Sequence, residues 1–162
     1  MKKSKSFFTV AIVLCIAATG LFYSLRRANG QTHLHIQKLV IVGKNGVKHD
    51  FQVEIAATPE EQEIGLMFRK KMAPDHGMLF EMNQTAPVNF WMKNTLIPLD
   101  MLFVAADGTI THIHANAVPE DLTAIPSDGP VSGVIEINGG LAKSLGIAVG
   151  DKVLHPYFND VK

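Results

Sequence analysis

The sequence predicts an α+β fold, a compact β-rich domain with a barrel-like or curled sheet and two short helices, preceded by an N-terminal hydrophobic helix. Three observations predict this fold. Short apolar segments alternate with glycine-bearing turns along most of the 162 residues. Two stretches carry helix-capping signals, and one long apolar run lies near the N-terminus. We therefore expect a membrane anchor or signal segment with a short flank at residues 1–30, and one β-rich domain at residues 31–162.

The N-terminal apolar run occupies residues 7–25, after three lysines and before Arg26-Arg27. A helix of this length rises about 28 Å, close to the roughly 30 Å hydrocarbon thickness of a membrane. Two interpretations stay open: an uncleaved anchor, or a secretory signal cut after small residues such as Ala28-Asn29-Gly30. The cations before the run place the N-terminus in the cytoplasm. We expect a single-pass protein of the cytoplasmic membrane with its C-terminal domain outside, or a secreted or periplasmic domain after cleavage.

Composition bounds the chemistry of the domain. Cys15 is the only cysteine and lies inside the apolar run, so the domain has neither a disulfide framework nor a catalytic thiol. After Arg27 the chain carries 10 basic and 15 acidic side chains, a formal charge of −5. Because proteins bind nucleic acid largely through its phosphates, we expect no nucleic-acid partner for a domain of this sign.

The domain is expected to begin with a β-hairpin. Its strands occupy residues 38–42 and 47–56, on either side of Asn45-Gly46. Both turn residues tolerate the positive φ angles that a tight hairpin turn requires.

A short helix is expected to follow the hairpin. Thr58 is its predicted N-cap, Pro59 fits the first turn, and Glu61 completes a capping box. The cations at residues 69–71 are expected to lie in solvent at its C-terminal end, where the helix dipole favours them. Three residues at helical spacing are expected to face the core: Ile64, Met67 and Phe68.

The second half of the domain is expected to be mostly strand. Asp107-Gly108 predicts a second hairpin, and an acidic loop with prolines occupies residues 119–130. Asn138 is expected to cap a short second helix that ends at Gly146. Six strands are expected in this half, at residues 78–81, 88–93, 99–105, 109–117, 132–137 and 152–155.

The segment Phe90–Asp100 reads Phe-Trp-Met-Lys-Asn-Thr-Leu-Ile-Pro-Leu-Asp and contains the only tryptophan. Because side chains alternate across a strand, Trp91 and Lys93 are expected to share one face. Asp100 would reach Lys93 or the Asn94 amide if the two strands are neighbours. Two interpretations stay open: a buried polar knot that fixes a turn, or a cleft in which polar groups orient a ligand beside the indole.

Glu136 is a carboxyl residue in an otherwise apolar strand, so it requires a partner or a binding site. Arg69 and Lys93 are the candidate partners, and either would make Glu136 half of an ion pair. If Glu136 and Asp100 converged on one cleft instead, the two carboxyl groups would resemble a glycosidase site.

No metal or cofactor site is marked in the sequence. His112 and His114 lie two residues apart on one strand, and His33 and His35 repeat this spacing, but neither pair comes with a third ligand. We therefore expect solvent-facing histidines, no metal and no cofactor. The methionines of the domain are expected to fill its core.

Five further motifs lie around the Phe90–Asp100 segment: Gly65-Leu-Met-Phe-Arg69, Gly77-Met-Leu-Phe80, Ile125-Pro-Ser127, Val134-Ile-Glu-Ile-Asn138 and Gly146-Ile-Ala-Val-Gly-Asp151. In this order they resemble the DUF192 family (also called UPF0127) of uncharacterised exported or membrane-anchored proteins, over residues 40–154. The resemblance implies a compact, mostly β, barrel-like fold. It implies no reaction and no metal site.

We expect a membrane-tethered or exported domain that binds a small ligand outside the cytoplasmic membrane, and we favour a non-enzymatic role. The membrane is the expected partner of residues 7–25, and an indole beside amide and carboxylate groups suits a carbohydrate or another envelope ligand. Two alternatives stay open: an envelope glycan hydrolase that uses Asp100 and Glu136, and a structural or partner-binding module of a membrane complex. The expected ligand-binding residues are Trp91, Lys93, Asn94, Asp100, Arg69 and Glu136.

Overall fold

The computed structural model describes residues 34–159, which form a seven-stranded sheet, a two-stranded sheet and three short helices. The strands are β1 (Ile36–Val42), β2 (Lys48–Ala56), β3 (His76–Ala86), β4 (Asn89–Phe90), β5 (Leu99–Val104), β6 (Ile110–Ala117), β7 (Ile125–Pro126), β8 (Val131–Asn138) and β9 (Lys152–Leu154). The helices are α1 (Pro59–Ile64), α2 (Leu141–Leu145) and α3 (Pro156–Asn159). The predicted hydrophobic helix at residues 7–25 lies outside the described residues. Within residues 34–159, no helix combines the length and the apolar character that a membrane crossing requires.

The large sheet is curled, with the strand order β6-β5-β8-β3-β2-β1-β9. Its two edges meet at one end, where Thr109 forms a bridge with Lys152. Beside this bridge the amide of Val153 donates to the carbonyl of Gly108 at 2.8 Å. The sheet is therefore an incomplete barrel, which confirms the predicted barrel-like or curled architecture. The pair β2–β3 is parallel, and α1 lies in the crossover between its strands.

Both faces of the central strands are buried. The inner core fills the curl of the sheet, and its members include Leu39, Ile41, Phe51, Val53, Leu102 and Ile135. The outer core lies on the opposite face of β3, β5 and β8, and its members include Met78, Phe80, Met101, Phe103, Val131 and Val134. Leu66, Met92 and Ile97 cover the outer core from the loops that follow α1 and β4. Because successive strand residues point to opposite faces, neighbours in β8 enter different cores.

Helix α1 begins as predicted and ends early. Thr58 caps it, and the carboxylate of Glu61 accepts from the Thr58 amide at 2.8 Å, so the capping box is confirmed. The helix stops at Gly65, whose φ of 49° leaves the helical region. The predicted core role of Phe68 is therefore wrong, since 51% of this residue is exposed, and Leu66 takes the buried position. Since the helix is already over, Arg69 and its cationic neighbours do not form its end.

The predicted strand at residues 88–93 is shorter than expected. Only its first part forms β4, which pairs with β7 inside the loop predicted at residues 119–130. The chain then turns, because the amide of Thr95 donates to the carbonyl of Met92 and Asn94 has a φ of 53°. The strand alternation assumed for this segment is therefore wrong beyond Phe90.

Helix α2 is confirmed, but its predicted cap is wrong. The N-cap is Gly140 without a side-chain bond of its own, while the Asn138 amide donates to the carbonyl of Ala73 at 2.9 Å. Gly146 ends α2 in the left-handed conformation, as predicted. Helix α3, which was not predicted, raises the number of helices in the described residues from the expected two to three.

Candidate functional site

Glu136 lies in the middle of the outer face of the sheet. The antiparallel registers of β8 place it between Met78 of β3 and Met101 of β5, both fully buried. Only 4% of Glu136 is exposed. Gly77 permits this close strand pairing, because a Cβ atom there would lie 2.5 Å from the backbone carbonyl oxygen of Glu136.

No described residue forms a hydrogen bond with the carboxyl group of Glu136. Burial raises the pKa of Glu136 to about 8, because an apolar environment disfavours the charged form. At neutral pH this side chain is therefore a carboxylic acid, with one O–H group able to donate and further oxygen lone pairs able to accept. It differs in this respect from an ion-paired glutamate, which the sequence had suggested.

Glu136 lines a cavity of about 450 Å³. Its apolar wall includes Phe80 and Phe90, whose rings meet edge to face with centroids 5.0 Å apart. Leu66 and Met82 extend that wall. A cavity of this volume with a largely apolar lining falls in the range of small-ligand sites.

Two uncharged polar side chains in the lining are already engaged by the protein. The amide of Gln62 donates to the carbonyl of Glu81 at 2.7 Å. The hydroxyl of Thr95 donates to the carbonyl of Lys93 at 3.3 Å. When it is protonated, Glu136 therefore offers the unused donor among the buried polar side chains of the lining.

Trp91 and Lys93 lie together at the exposed side of the cavity. The ammonium nitrogen of Lys93 is 4.9 Å from the centroid of the Trp91 ring, a cation–π contact. Trp91 is 47% exposed, and both residues line the cavity. They thus meet as the sequence predicted, although the strand used to predict it is absent.

Asn94 connects two loops beside the cavity. Its backbone carbonyl accepts from the amide of Phe68 at 2.8 Å, and its side-chain amide lies 3.6 Å from the sulfur of Met67. Met67 lines the cavity, so Asn94 positions a wall residue.

Asp100 is fully buried and its carboxylate is saturated by backbone amides. One oxygen accepts from Asn116 at 2.8 Å and from Gly140 at 2.9 Å, and the other accepts from Ala142 at 2.8 Å. Asp100 thus caps helix α2 from a distant strand. The predicted contacts of Asp100 with Lys93 and Asn94 are wrong.

Asp100 and Glu136 lie on opposite faces of the sheet. Asp100 is paired with Ile137, whose side chain belongs to the inner core, whereas Glu136 is paired with Met101 of the outer core. Since residues paired across strands share a face, the sheet itself separates the two carboxyl groups. The predicted convergence of both on one cleft is therefore wrong.

Arg69 binds Glu54 of β2 through two parallel bonds of 2.6 and 2.5 Å. Glu54 is paired with Met78, so it lies on the outer face two strands from Glu136. The predicted pairing of Arg69 with Glu136 is wrong. Two acidic residues in one row of the sheet thus differ, because one has a cationic partner and the other has none among the described residues.

The aromatic wall was missed from the sequence. Phe80 and Phe90 both occur in noted motifs, but neither was assigned to a site. The contact depends on Gly65, since a Cβ atom there would lie 3.2 Å from the ring of Phe80. That close approach brings the loop after α1 down onto the cavity wall.

Histidines and acids form no metal cluster in residues 34–159, where no three such groups come together. His112 lies 3.5 Å from Asp128, at the edge strand β6.

The incomplete barrel, with a largely apolar cavity on the outer face of its central strands, defines a small α+β domain with a candidate small-ligand site.

The chain belongs to the DUF192 family, described as an uncharacterized ACR, and the match spans residues 40–155. It is similar to a crystal structure of a candidate transcription regulator from Sinorhizobium meliloti, with 48% identity and a TM-score of 0.75, over 76% of this chain and 96% of that one. It is also similar to a protein of unknown function from Novosphingobium aromaticivorans, with 47% identity and a TM-score of 0.74, over 76% and 88%. No curated protein matches the chain.

Proposed function

We propose that the domain binds a small ligand in the cavity lined by Glu136, outside the cytoplasmic membrane, without catalysing a reaction. The observation that carries this proposal is the buried carboxyl of Glu136, which faces the cavity and is bound by no described residue. The carboxyl lies among apolar residues of the outer core and lines the cavity, where a ligand with a complementary polar atom can bond to it. A purely structural role gives no reason for an acid at this position.

A carbohydrate fits the cavity less well than a more apolar ligand. Lys93 already lies over the indole of Trp91, against which a sugar ring would stack. Phe80, Phe90 and Met82 offer no hydrogen bonds to hydroxyl groups. We therefore no longer favour envelope carbohydrate as the ligand, and we keep it as one class of compound in the ligand screen.

The alternatives find less support. A glycan hydrolase using Asp100 and Glu136 would need both carboxyl groups on one side of the sheet. A structural module agrees with the bonds of Asp100 but leaves Glu136 unexplained. Nucleic acid, which the description of the Sinorhizobium relative raises, fits poorly with the formal charge of −5 after Arg27.

Residues 31–162 are suitable for the binding test, because the crystallised Sinorhizobium relative is 96% accounted for by the shared region and so forms this fold without a large additional segment. A thermal-shift screen would cover sugars, cell-wall fragments and small apolar carbonyl compounds. A ligand at 100 times its dissociation constant stabilises a protein by about 2.7 kcal/mol. For a domain of this size, that is a shift of roughly 10 °C.

A matched pair of variants assigns the binding to the cavity. Trp91→Ala removes an exposed aromatic residue that lines the cavity, and Leu122→Ala removes an exposed apolar residue that is 64% accessible and lies outside the lining. We expect the first variant to weaken binding and the second to leave it unchanged. Equal binding by both variants, or the lack of any ligand, would contradict the proposed function.

The proposed location rests on residues 7–25 and their flanking cations. Alkaline phosphatase fused after Lys162 should be active in intact cells, because this reporter functions only outside the cytoplasm. A fusion that is active only as a cytoplasmic reporter, such as β-galactosidase, would overturn the predicted orientation.

A further inference from the structure

The carboxyl of Glu136 lies below apolar neighbours on every strand that flanks it. Met78 and Met101 lie directly beside it across the strands, and both are fully buried. Phe80 and Phe90 stand over the same face and line the cavity with it. A ligand that reaches Glu136 must therefore lie against apolar walls.

No charged group of the described residues forms an ion pair with Glu136. Arg69 is bound to Glu54. The backbone of Glu54 lies two strands from that of Glu136, which is about 10 Å at the spacing of a β-sheet. Lys93 lies over Trp91. The charged or titratable groups that face this side from the packed elements are Glu63 of α1, Lys93 of the loop after β4, Glu54 with Arg69, His76 of β3 with the preceding Asp75, and His112 and His114 of β6.

The neutral form of Glu136 follows from these surroundings. No cation among residues 34–159 forms an ion pair with it, and burial raises its pKa to about 8. Its O–H group is then the one unused donor among the buried polar side chains of the lining, since Gln62 and Thr95 donate to backbone carbonyls. A donor in an apolar cavity favours a ligand with one acceptor atom and few other polar groups.

We propose that the ligand is an apolar molecule with a neutral acceptor oxygen, such as an aryl or acyl carbonyl compound, which accepts a hydrogen bond from the carboxyl of Glu136. This inference rests on the proposed function, because it names the ligand class of the same cavity. A sugar is disfavoured, since its many hydroxyl groups would lose water without finding partners along the aromatic wall. No covalent step is involved.

Two probes of nearly equal shape test the inference on residues 31–162. Acetophenone carries a carbonyl oxygen, and α-methylstyrene replaces that oxygen with a methylene group. Binding is followed at pH 6 and pH 9.5 by NMR of ¹³C-labelled methionine methyl groups, because Met78 and Met101 flank Glu136. Glu136→Gln retains a donor that does not titrate, and Glu136→Leu has no donor.

We expect acetophenone to bind about 3- to 10-fold more tightly than α-methylstyrene at pH 6, the ratio that one net hydrogen bond supplies. The preference should vanish or reverse at pH 9.5, where a carboxylate faces the carbonyl oxygen. In Glu136→Gln the preference should persist at both pH values, and in Glu136→Leu it should be absent at both.

The outcomes separate the inference from the proposed function. If both probes shift the signals of Met78 and Met101 with equal affinity at both pH values, the cavity binds ligands but Glu136 is not the donor, and the inference is wrong. A preference that strengthens at pH 9.5 would overturn it as well. If neither these probes nor any compound of the wider screen binds, the proposed function itself fails. The wild-type comparison decides these cases even if a variant does not fold.

Discussion

Asp100 and Glu136 are both buried carboxyl residues in adjacent strands of one sheet, and they have opposite environments. The carboxylate of Asp100 accepts three backbone N–H groups, from Asn116, Gly140 and Ala142. The carboxyl of Glu136 faces a cavity and has no partner among the described residues. Burial alone therefore does not distinguish a structural acid from a site residue. The hydrogen-bond partners do, because they decide whether the group stabilises the fold or costs it free energy.

The largest expected effect is the loss of the Asp100 carboxylate. Asp100→Ala leaves three backbone amides without an acceptor, and it should lower the free energy of unfolding by about 3–5 kcal/mol. Urea denaturation measures this change. Asp50→Ala is the matched control, because Asp50 forms an exposed pair with Lys38 and should cost less than about 1 kcal/mol. If the two variants were equally stable, Asp100 would not have the structural role assigned to it.

Glu136→Gln should raise the free energy of unfolding at high pH, whereas Asp100→Ala lowers it. The effect of Glu136→Gln should depend on pH. The pKa of Glu136 is raised by burial from 4.5 to about 8, so the native state retains a proton that the unfolded state has lost. Below pH 4.5 both the native and the unfolded state hold this proton, so Glu136 does not lower the stability there. Wild-type stability falls as pH rises from 4.5 to about 8. At pH 9 the variant should be more stable than the wild type, by an amount on the order of 4 kcal/mol.

Urea midpoints measured from pH 4 to pH 9 test this pH dependence. The other titrating groups are the same in both proteins, so the difference between them isolates Glu136. Glu60→Gln, the same substitution at an exposed position, serves as the control. A wild-type-minus-variant difference that stays constant across this range would contradict the neutral, unpartnered state of Glu136.

Glu54 is intermediate between Asp100 and Glu136 in its bonding, because its carboxylate accepts two bonds from Arg69. Both side chains are mostly buried, with 24% and 15% exposed, and the pair is joined by two bonds. Arg69→Ala should cost about 2 kcal/mol, because Glu54 then loses both donors. The apparent pKa of Glu136 should hardly change, since Arg69 is not its partner. A large rise in that pKa in the variant would show that Arg69 acts on Glu136 after all.

The smallest effect is expected at the exposed side of the cavity. Lys93→Met removes the cation above Trp91 and should change stability by less than about 1 kcal/mol, as an exposed cation–π contact contributes little. The fluorescence of Trp91, the only tryptophan, should change because the charge near its ring is lost. A destabilisation above about 2 kcal/mol would instead place Lys93 in the structural class of Asp100.

Local features of the fold could be predicted from the sequence, and contacts between distant residues could not. The capping box of Thr58 and Glu61 lies within four consecutive positions, and it was predicted correctly. Both hairpins follow from adjacent turn residues, and they too are confirmed. The cap of α2 comes from Asp100, 40 residues before Gly140, so no local pattern contains it.

The candidate site was predicted in part for the same reason. Trp91 and Lys93 were recognised because they lie two residues apart, and Glu136 because a carboxyl residue interrupts an apolar strand. The faces of Asp100 and Glu136 depend on the register between β5 and β8, which the sequence of either strand alone does not determine. The pairing of Arg69 with Glu54 similarly depends on how the loop after α1 lies on the sheet.

The most direct test of this account is the pKa of Glu136 itself, measured by ¹³C NMR of residues 31–162 labelled at glutamate carboxyl carbons. The signal of Glu136 is assigned by its loss in Glu136→Gln. We expect a midpoint near pH 8 that moves upward when acetophenone binds, because the ligand stabilises the protonated form. A midpoint near 4.5 that does not respond to any bound compound would mean that Glu136 is an ordinary solvated carboxylate, and it would contradict both the site and its proposed ligand.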